Sequence, residues 1–373
     1  MPCSVVPYYR DTRPLKFVTT DMPQNAAADL RLSMIRQWLL SQPNGIETAA
    51  ESLAPASDDA SFRRYFRVQV TRASRPGTDP MTTAIVMDAP PPHEDTRPFL
   101  EIAERLRAAG VSIPEIYASD TQAGLLLLQD FGSLTYLSKL NTHSADALYR
   151  DALAALVKIQ AGSQVSGLPE YDRALLAREL TLFPDWYVQR HRGVELDSTQ
   201  RRLLDEGFSR LLDNNLAQPR VMVHRDYHSR NLMCLEPGRN PGILDFQDAV
   251  NGPITYDLVS LLRDAYIEWP EAQQIDWAVR YWQQARAVGL PVQFDFGQFW
   301  QEFEWMGLQR HLKVLGIFAR LWYRDGKSRY LADMPRVASQ ALAVARRYQA
   351  LAGLARVLER IEDAPPPKAA FTF

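Results

Sequence analysis

Cysteine is nearly absent from this sequence, since Cys3 and Cys234 are the only two in 373 residues. They form no Cys-x-x-Cys pair, and two cysteines cannot build a framework of disulfides. A chain with so few cysteines is typical of a reducing compartment. We therefore predict a cytoplasmic protein.

Long apolar runs and an excess of basic charge are also missing. The longest strongly apolar run, AGLLLL at 123–128, is far too short to cross a bilayer. Residues 1–28 mix charges and prolines, so they do not resemble a signal peptide. With 42 Lys and Arg against 44 Asp and Glu, the net charge of −2 leaves no basic excess to attract nucleic acid. The sequence predicts no membrane or nucleic-acid partner, and nothing in it indicates an obligate protein partner.

The residues that are present divide the chain into a sheet-rich part and a helical part. Alternating or β-branched segments predict strands at 66–70, 82–88, 112–118 and 124–130. Helical spacing predicts helices at 29–41, 97–110, 143–160, 172–191 and 197–217, and again from 256 to about 348. The pattern therefore predicts a small antiparallel-sheet lobe followed by a linker near 130–135 and a larger helical lobe.

One polar stretch interrupts the helical part. HRDYHSRN at 224–231 contains Asp226 and Asn231, and Asp245 follows in LDF after a segment that can turn the chain back. Converging carboxylate and amide oxygens suit a hard cation such as Mg²⁺, and a further carboxylate can take a proton from an attacking hydroxyl. The same residue types also satisfy their own backbone in ordinary turns. The downstream Asp-Phe and the preceding sheet favour the first interpretation, which is phosphoryl transfer.

Several motifs carry a family resemblance. HRDYHSRN with LDFQD resembles the catalytic loop and metal-binding segment of the aminoglycoside phosphotransferase-like kinases. DASFRRYFRV, the longer segment LDFQDAVNGPITYDLVSLLRDAYIEWP and QRHLKVLGIFARLWYRDGK are similar to bacterial N-acetylmuramate/N-acetylglucosamine anomeric kinases of cell-wall recycling. The likeness covers roughly residues 30–355. It implies an α+β, two-lobed protein-kinase-like fold and ATP- and Mg²⁺-dependent phosphorylation of the anomeric hydroxyl of a small amino sugar.

The resemblance also implies roles for individual residues. Asp226 would be the catalytic base in contact with the substrate, with His228 beside the transferred phosphate. Asn231 and Asp245 would bind Mg²⁺. LLLLQDFG would be the hinge that meets adenine, through Gln129, Asp130 and Phe131. The expected division is a flexible tail at 1–28, a nucleotide-binding N-lobe at 29–130, a catalytic and sugar-binding C-lobe at 131–362 and a second tail at 363–373.

The nucleotide-binding region departs from the family pattern. SDDASFRRYF has no glycine to cover the phosphates, and the strand AIVMDAP has no lysine to contact them. We expect Ser61, Phe62 and Arg63 to contact the nucleotide, and either Arg63 or Arg64 to supply the missing positive charge. These departures leave a nucleotide-binding pseudokinase open as an alternative. A kinase for an aminoglycoside or an amino alcohol is the other, because fold alone does not decide the substrate.

The carboxylate of N-acetylmuramate requires a cationic partner in the acceptor pocket. Arg230 and Arg263 are predicted as substrate contacts, and the sequence does not rank them against Arg310, His311 and Lys313. Two further predictions concern structural positions. Asp257 is expected to cap a helix while Asp248 stays open, and the aromatic cluster Trp300, Phe303 and Trp305 is expected to pack in the core.

Overall fold

The computed structural model describes residues 24–42, 46–57, 63–72 and 82–364. Within these ranges, five antiparallel strands form one sheet in the order β1-β2-β3-β5-β4. The strands are β1 (Ile46–Ser57), β2 (Arg64–Arg72), β3 (Thr83–Asp88), β4 (Ile116–Asp120) and β5 (Leu125–Gln129). The four strands predicted from alternation and β-branching are all present. The sequence analysis misses β1, because its residues IETAAESLAPAS are mostly small or polar and alternate poorly.

Two helices pack on opposite faces of this sheet. Helix α1 (Gln24–Leu40) places Ile35 and Leu39 on the face formed by every second residue of β2, β3 and β5. It begins five residues before the predicted start at 29, so its first turn lies in the segment assigned to the N-terminal tail. Helix α2 (Arg97–Ala108) buries Phe99, Ile102 and Leu106 on the other face, as its spacing predicts.

The remainder of the described chain is mostly helical. Its helices are α3 (Tyr136–Lys139), α4 (Ala145–Gly162), α5 (Arg173–Leu182), α6 (Ser198–Ala217), α7 (Tyr256–Leu262), α8 (Glu271–Ala287), α9 (Phe296–Asp325), α10 (Met334–Arg347) and α11 (Ala352–Glu362). A π-helical segment, Phe183–His191, continues α5. The predicted helices are confirmed. No helix among the described residues combines the length and the apolar character needed to span a bilayer.

Four short strands interrupt the helices where the polar stretch lies. They are β6 (Arg220–Val223), β7 (Leu232–Met233), β8 (Gly242–Ile243) and β9 (Val250–Pro253), paired as β6-β9 and β7-β8. Phe246, just after β8, packs against Phe99 of α2 with ring centroids 4.6 Å apart. The same buried core continues from α2 into the helical part. The polar stretch is therefore held directly against the sheet-rich lobe.

Candidate active site

Two buried carboxylates hold the backbone of the HRDYHSRN loop, which joins β6 to β7. Asp257 of α7 accepts hydrogen bonds from the N–H groups of His224 at 2.6 Å and Arg225 at 3.0 Å. Asp264, just beyond α7, accepts from both the N–H and the hydroxyl of Ser229, at 2.9 and 2.5 Å. Arg225 adopts a left-handed backbone conformation with φ of 77°, which a non-glycine residue takes up only where its surroundings hold it. The loop is thus a fixed platform.

His224, which the sequence analysis did not single out, ties the loop to the segment that contains Asp245. Its Nδ1 accepts from the N–H of Asp226 at 3.2 Å, and its Nε2 donates to the carbonyl of Leu244 at 3.0 Å. Burial lowers the pKa of His224 to about 4, so the ring is neutral at pH 7. A neutral ring that accepts on one nitrogen and donates on the other fixes the spacing of the two segments.

Asp226 lies at the centre of this loop and is half-buried. Burial acts to raise the pKa of its carboxyl, but nearby cationic groups outweigh that effect and the pKa is lowered. The basic groups responsible are His228, whose own pKa is lowered by burial, and the cations Lys313, Arg310 and Arg225. Asp226 is therefore ionised at neutral pH, as a proton acceptor must be.

Asn231 and Asp245 lie side by side next to Asp226. The amide nitrogen of Asn231 donates to the backbone carbonyl of Asp226 at 3.0 Å and lies 3.5 Å from Oδ2 of Asp245. Asp245 has a left-handed backbone with φ of 60°, which turns the chain directly after β8. The three residues singled out from the sequence are therefore brought together, although they are up to 19 positions apart in the chain.

This pair fits a magnesium ion better than a transition metal. Asp245 supplies carboxylate oxygens, and the amide nitrogen of Asn231 is used in bonding to Asp226, which leaves its amide oxygen as a ligand. The described residues contain no group of three or more His, Cys, Asp or Glu side chains able to hold a metal. Mg²⁺ is commonly held by one or two protein oxygens, with water and substrate phosphates completing its shell.

Arg63 and Arg64 have different surroundings. Arg64 is bound to the fully buried carboxylate of Asp88 at 2.5 Å, and Arg31 contacts the same carboxylate at 2.6 Å. The guanidinium of Arg63 instead lies 3.9 Å from Asp245, and it is also 3.7 Å from Asp248 and from Glu94. Arg63 therefore faces the proposed metal site. The strand AIVMDAP supplies no lysine there, so Arg63 can supply the positive charge that the family pattern places on that strand.

The proposed hinge uses its side chains internally. Arg67 binds the carboxylate of Asp130 through Nε at 2.6 Å, and Thr83 donates to it at 2.8 Å. Burial opposes ionisation of Asp130, but its hydrogen bonds, above all that from Arg67, lower its pKa. The side chain of Gln129 accepts from the N–H of Glu115 at 3.3 Å. The carboxylate of Asp130 and the amide oxygen of Gln129 are therefore engaged within the protein, which favours contact with adenine through the backbone of this segment.

Of the other predicted nucleotide contacts, the structure describes Phe131. The ring of Phe131 lies against Gly242 of β8, where a Cβ atom would come within 2.7 Å of it. Glycine is thus required for the hinge to approach the strand that precedes Asp245. Ser61 and Phe62 fall outside the described residues.

His228 and Arg230 lie on the side of the loop that faces Tyr266. The guanidinium of Arg230 lies 3.6 Å from the centre of the Tyr266 ring, and the His228 ring meets the same ring edge-on at 5.5 Å. Burial lowers the pKa of His228 against the opposing effects of Asp264 and Asp226. Together these residues form an amphipathic wall beside Asp226 that suits a polar ring with hydroxyl groups.

Arg263 is placed away from this wall, contrary to its expected part in substrate binding. Its guanidinium is buried and pairs with the fully buried Glu304 at 2.8 Å. It lines a cavity of about 500 Å³ between α8, α9 and α10, and none of Asp226, Asn231 and Asp245 borders that cavity. Because Glu304 already neutralises the Arg263 guanidinium, Arg263 would bind the carboxylate of a substrate only weakly.

The structural predictions fare better. Phe303 and Trp305 are buried in the core, and Trp300 stacks on Phe303 at 4.9 Å. Asp257 is structural, but it supports the HRDYHSRN loop and does not cap α7, which has no side-chain cap. Burial raises the pKa of Asp257 to about 7. Asp248 is exposed and contacts Gln247 at 3.2 Å.

A two-lobed fold with this loop defines a class of phosphotransferases. Residues 52–299 match the phosphotransferase enzyme family, and the chain belongs to that family. Solved structures with the same fold include a choline kinase from Streptococcus pneumoniae, with a TM-score of 0.56 at 13% identity over 83% of this chain and 98% of that one. An ADP-bound aminoglycoside phosphotransferase has a TM-score of 0.52 at 14% identity, over 83% of this chain and 97% of that one. At such identities the likeness is one of fold alone.

Curated relatives are far more similar in sequence. A Pseudomonas putida protein named N-acetylmuramate/N-acetylglucosamine kinase is 46% identical over 91% of this chain and 98% of its own length. A Pseudomonas aeruginosa protein of the same name is 50% identical over 81% of this chain and 86% of its own. The predicted family and the predicted kinase-like fold are both confirmed.

Proposed function

We propose that this chain is an ATP-dependent kinase that phosphorylates the anomeric hydroxyl of N-acetylmuramate and N-acetylglucosamine, as a step in cell-wall recycling. The proposed acceptor rests on the similarity to a relative named N-acetylmuramate/N-acetylglucosamine kinase over nearly the whole length of that relative. The observation that carries the chemistry is the convergence of Asp226, Asn231 and Asp245. Residues 29–130 would form the nucleotide-binding N-lobe and 131–362 the catalytic, sugar-binding C-lobe, in the cytoplasm.

Asp226 acts as the base in this reaction. The sugar hydroxyl attacks the γ-phosphorus of ATP, a new O–P bond forms, the bond to the β-phosphate oxygen breaks and ADP leaves. The hydroxyl proton passes to Asp226, which the surrounding cations keep ionised. Mg²⁺ held by Asn231 and Asp245 would offset negative charge on the phosphates. Arg63 would add a guanidinium on the same side, and the wall of His228, Arg230 and Tyr266 would orient the sugar.

An anionic acceptor also suits the charges beside the base. Aminoglycosides and amino alcohols are cationic, and a site that binds them calls for acidic groups. Here Lys313, Arg310 and Arg225, which help to lower the pKa of Asp226, are cationic, and Arg230 lies in the wall beside Asp226. This balance favours an acceptor with a carboxylate over a cationic one.

A substrate panel tests the proposed acceptor. ADP release would be measured with Mg²⁺, ATP and one acceptor at a time: N-acetylmuramate, N-acetylglucosamine, an aminoglycoside and choline. We expect turnover with the two amino sugars and background rates with the two cations. Turnover only with the aminoglycoside or choline would show that the acceptor is cationic and not an amino sugar of this kind. No turnover with any of the four compounds would favour a nucleotide-binding pseudokinase.

Arg63→Ala is expected to raise the apparent KM for ATP by about 10- to 100-fold, the usual cost of a lost charge-assisted hydrogen bond. Arg64→Ala is the matched control on the neighbouring position. It leaves the buried carboxylate of Asp88 with Arg31 alone, so we expect a lower melting temperature and little change in KM. Steady-state kinetics and thermal unfolding of both variants test this expectation. A raised KM for ATP in Arg64→Ala with an unchanged KM in Arg63→Ala would assign the phosphate contact to Arg64.

A further inference from the structure

Arg310 is a buried guanidinium that has no hydrogen-bonding partner among the residues that the structure describes. It lies in the middle of α9 with only 4% of its surface exposed. Its Nε and Nη1 atoms donate to no group in the described part of the chain. Burial of unsatisfied donors on a charged group is costly, and a bound ligand that accepts hydrogen bonds from them would offset that cost.

The other cationic candidates for the acceptor carboxylate are already engaged. Arg263 pairs with Glu304 at 2.8 Å, and Lys313 pairs with Glu179 at 2.8 Å. Burial lowers the pKa of His311 to about 3, so its ring is neutral. Arg230 is half-exposed over Tyr266 and keeps access to water. Arg263 also has an unused Nη1 donor, but its charge is offset by Glu304. Within the described part of the chain, Arg310 is the buried cation among the five that has unused donors and no ion pair.

The position of Arg310 links it to the base. Its guanidinium lies 6.0 Å from the centre of the Tyr256 ring. Burial disfavours its charge, but electrostatic attraction, from Tyr256 and then from the carboxylates of Asp226 and Asp264, raises its pKa. It is hydrogen-bonded to neither carboxylate. Arg310 also lowers the pKa values of both His228 and Tyr266, two residues of the wall proposed to orient the sugar.

From this arrangement we infer that Arg310 binds the lactyl carboxylate of N-acetylmuramate, a role that rests on the proposed function. A guanidinium presents its donors in a planar fork that matches both oxygens of a carboxylate. The middle of a 30-residue helix holds that fork more rigidly than a loop does. N-acetylglucosamine has no lactyl group and makes no such contact. Arg310 therefore determines how strongly the enzyme favours one sugar over the other.

The test compares both sugars in wild type and in Arg310→Gln. We expect kcat/KM for N-acetylmuramate to fall by about 10- to 100-fold, mostly through KM, which is the usual effect of losing a hydrogen bond to a charged group. The value for N-acetylglucosamine is expected to change much less. Arg324→Gln, at the exposed end of the same helix, is the matched control and should leave both sugars unaffected. Equal losses for both sugars in Arg310→Gln would overturn the inference, because Arg310 would then serve the base or the phosphates.

A modified substrate allows the carboxylate site to be tested on the wild-type enzyme, so that the result does not depend on whether Arg310→Gln folds. The methyl ester of N-acetylmuramate lacks the negative charge, so wild type should prefer the acid to the ester and Arg310→Gln should lose that preference. A wild-type enzyme that treats acid and ester alike would overturn the carboxylate site while leaving the proposed function intact. Failure of wild type on both amino sugars would instead count against the proposed function itself.

Discussion

Asp226→Asn is expected to lower kcat by about 10²- to 10⁴-fold, the range for loss of a general base. The amide has the size of the carboxylate but cannot accept the proton of the sugar hydroxyl. The fold should be preserved, because the loop is held by Asp257 and Asp264 and not by the Asp226 side chain. Nucleotide affinity should be preserved as well, since the proposed metal ligands are unchanged.

Single-turnover kinetics, ATP titration and thermal unfolding of this variant separate these effects. Asp205→Asn, an exposed residue of α6, is the matched control and should match wild type in all three. Near-normal turnover in Asp226→Asn would remove Asp226 from the mechanism. Because surrounding cations lower its pKa, we also expect the acid limb of the kcat profile to lie below the ordinary aspartate value of about 4.

Asp245→Ala is expected to reduce kcat/KM for ATP by more than about 100-fold, since a hard oxygen ligand of Mg²⁺ is deleted and only water can replace it. The loss should be a loss of binding, so the affinity for ATP measured by calorimetry should fall sharply with Mg²⁺ present and little with chelator present. The same change removes a carboxylate beside Arg63 and makes the site more positive. This gives no reason for ATP to bind less tightly when Mg²⁺ is absent.

Asp248→Ala provides the comparison for this second variant. Asp248 lies three positions on and also faces Arg63 at 3.7 Å, but its side chain is 54% exposed. We expect a much smaller effect on Mg²⁺-dependent ATP binding. Equal effects in the two variants would make Asp248 a second ligand, and unchanged affinity in Asp245→Ala would remove Asp245 from the metal site.

Local patterns predicted the elements that have a strong local signal. Alternation identified β2 and β3, and helical spacing placed Phe99, Ile102 and Leu106 on the buried side of α2. The sequence did not predict β1, because this strand is stabilised by its pairing with β2 through a bulged register. Its own residues have little preference for a strand.

The candidate site was predictable where it is compact in sequence and unpredictable where distant segments meet. Asp226 and Asn231 share one loop, so their meeting could be expected. The supports at Asp257 and Asp264 lie 33 and 35 residues from the loop groups they bind, and no local pattern reports such a contact.

The choice between Arg63 and Arg64 shows the same limit. Neighbouring residues in an extended chain point to opposite sides, and only the folded positions of Asp88 and Asp245 reveal that Arg64 is bound to a buried carboxylate and that Arg63 faces Asp245. The ranking of the acceptor cations likewise depended on Glu304 and Glu179, partners that only the fold brings into contact with Arg263 and Lys313.

The central claim is that phosphate is transferred to the anomeric hydroxyl. Each sugar would be incubated with enzyme, Mg²⁺ and ATP, and reducing ends would be measured alongside ADP release. A 1-phosphate locks the ring and removes the reducing end, whereas a phosphate elsewhere on the sugar leaves it. We predict loss of reducing ends in a one-to-one ratio with ADP; ADP release with the reducing ends intact would contradict the account.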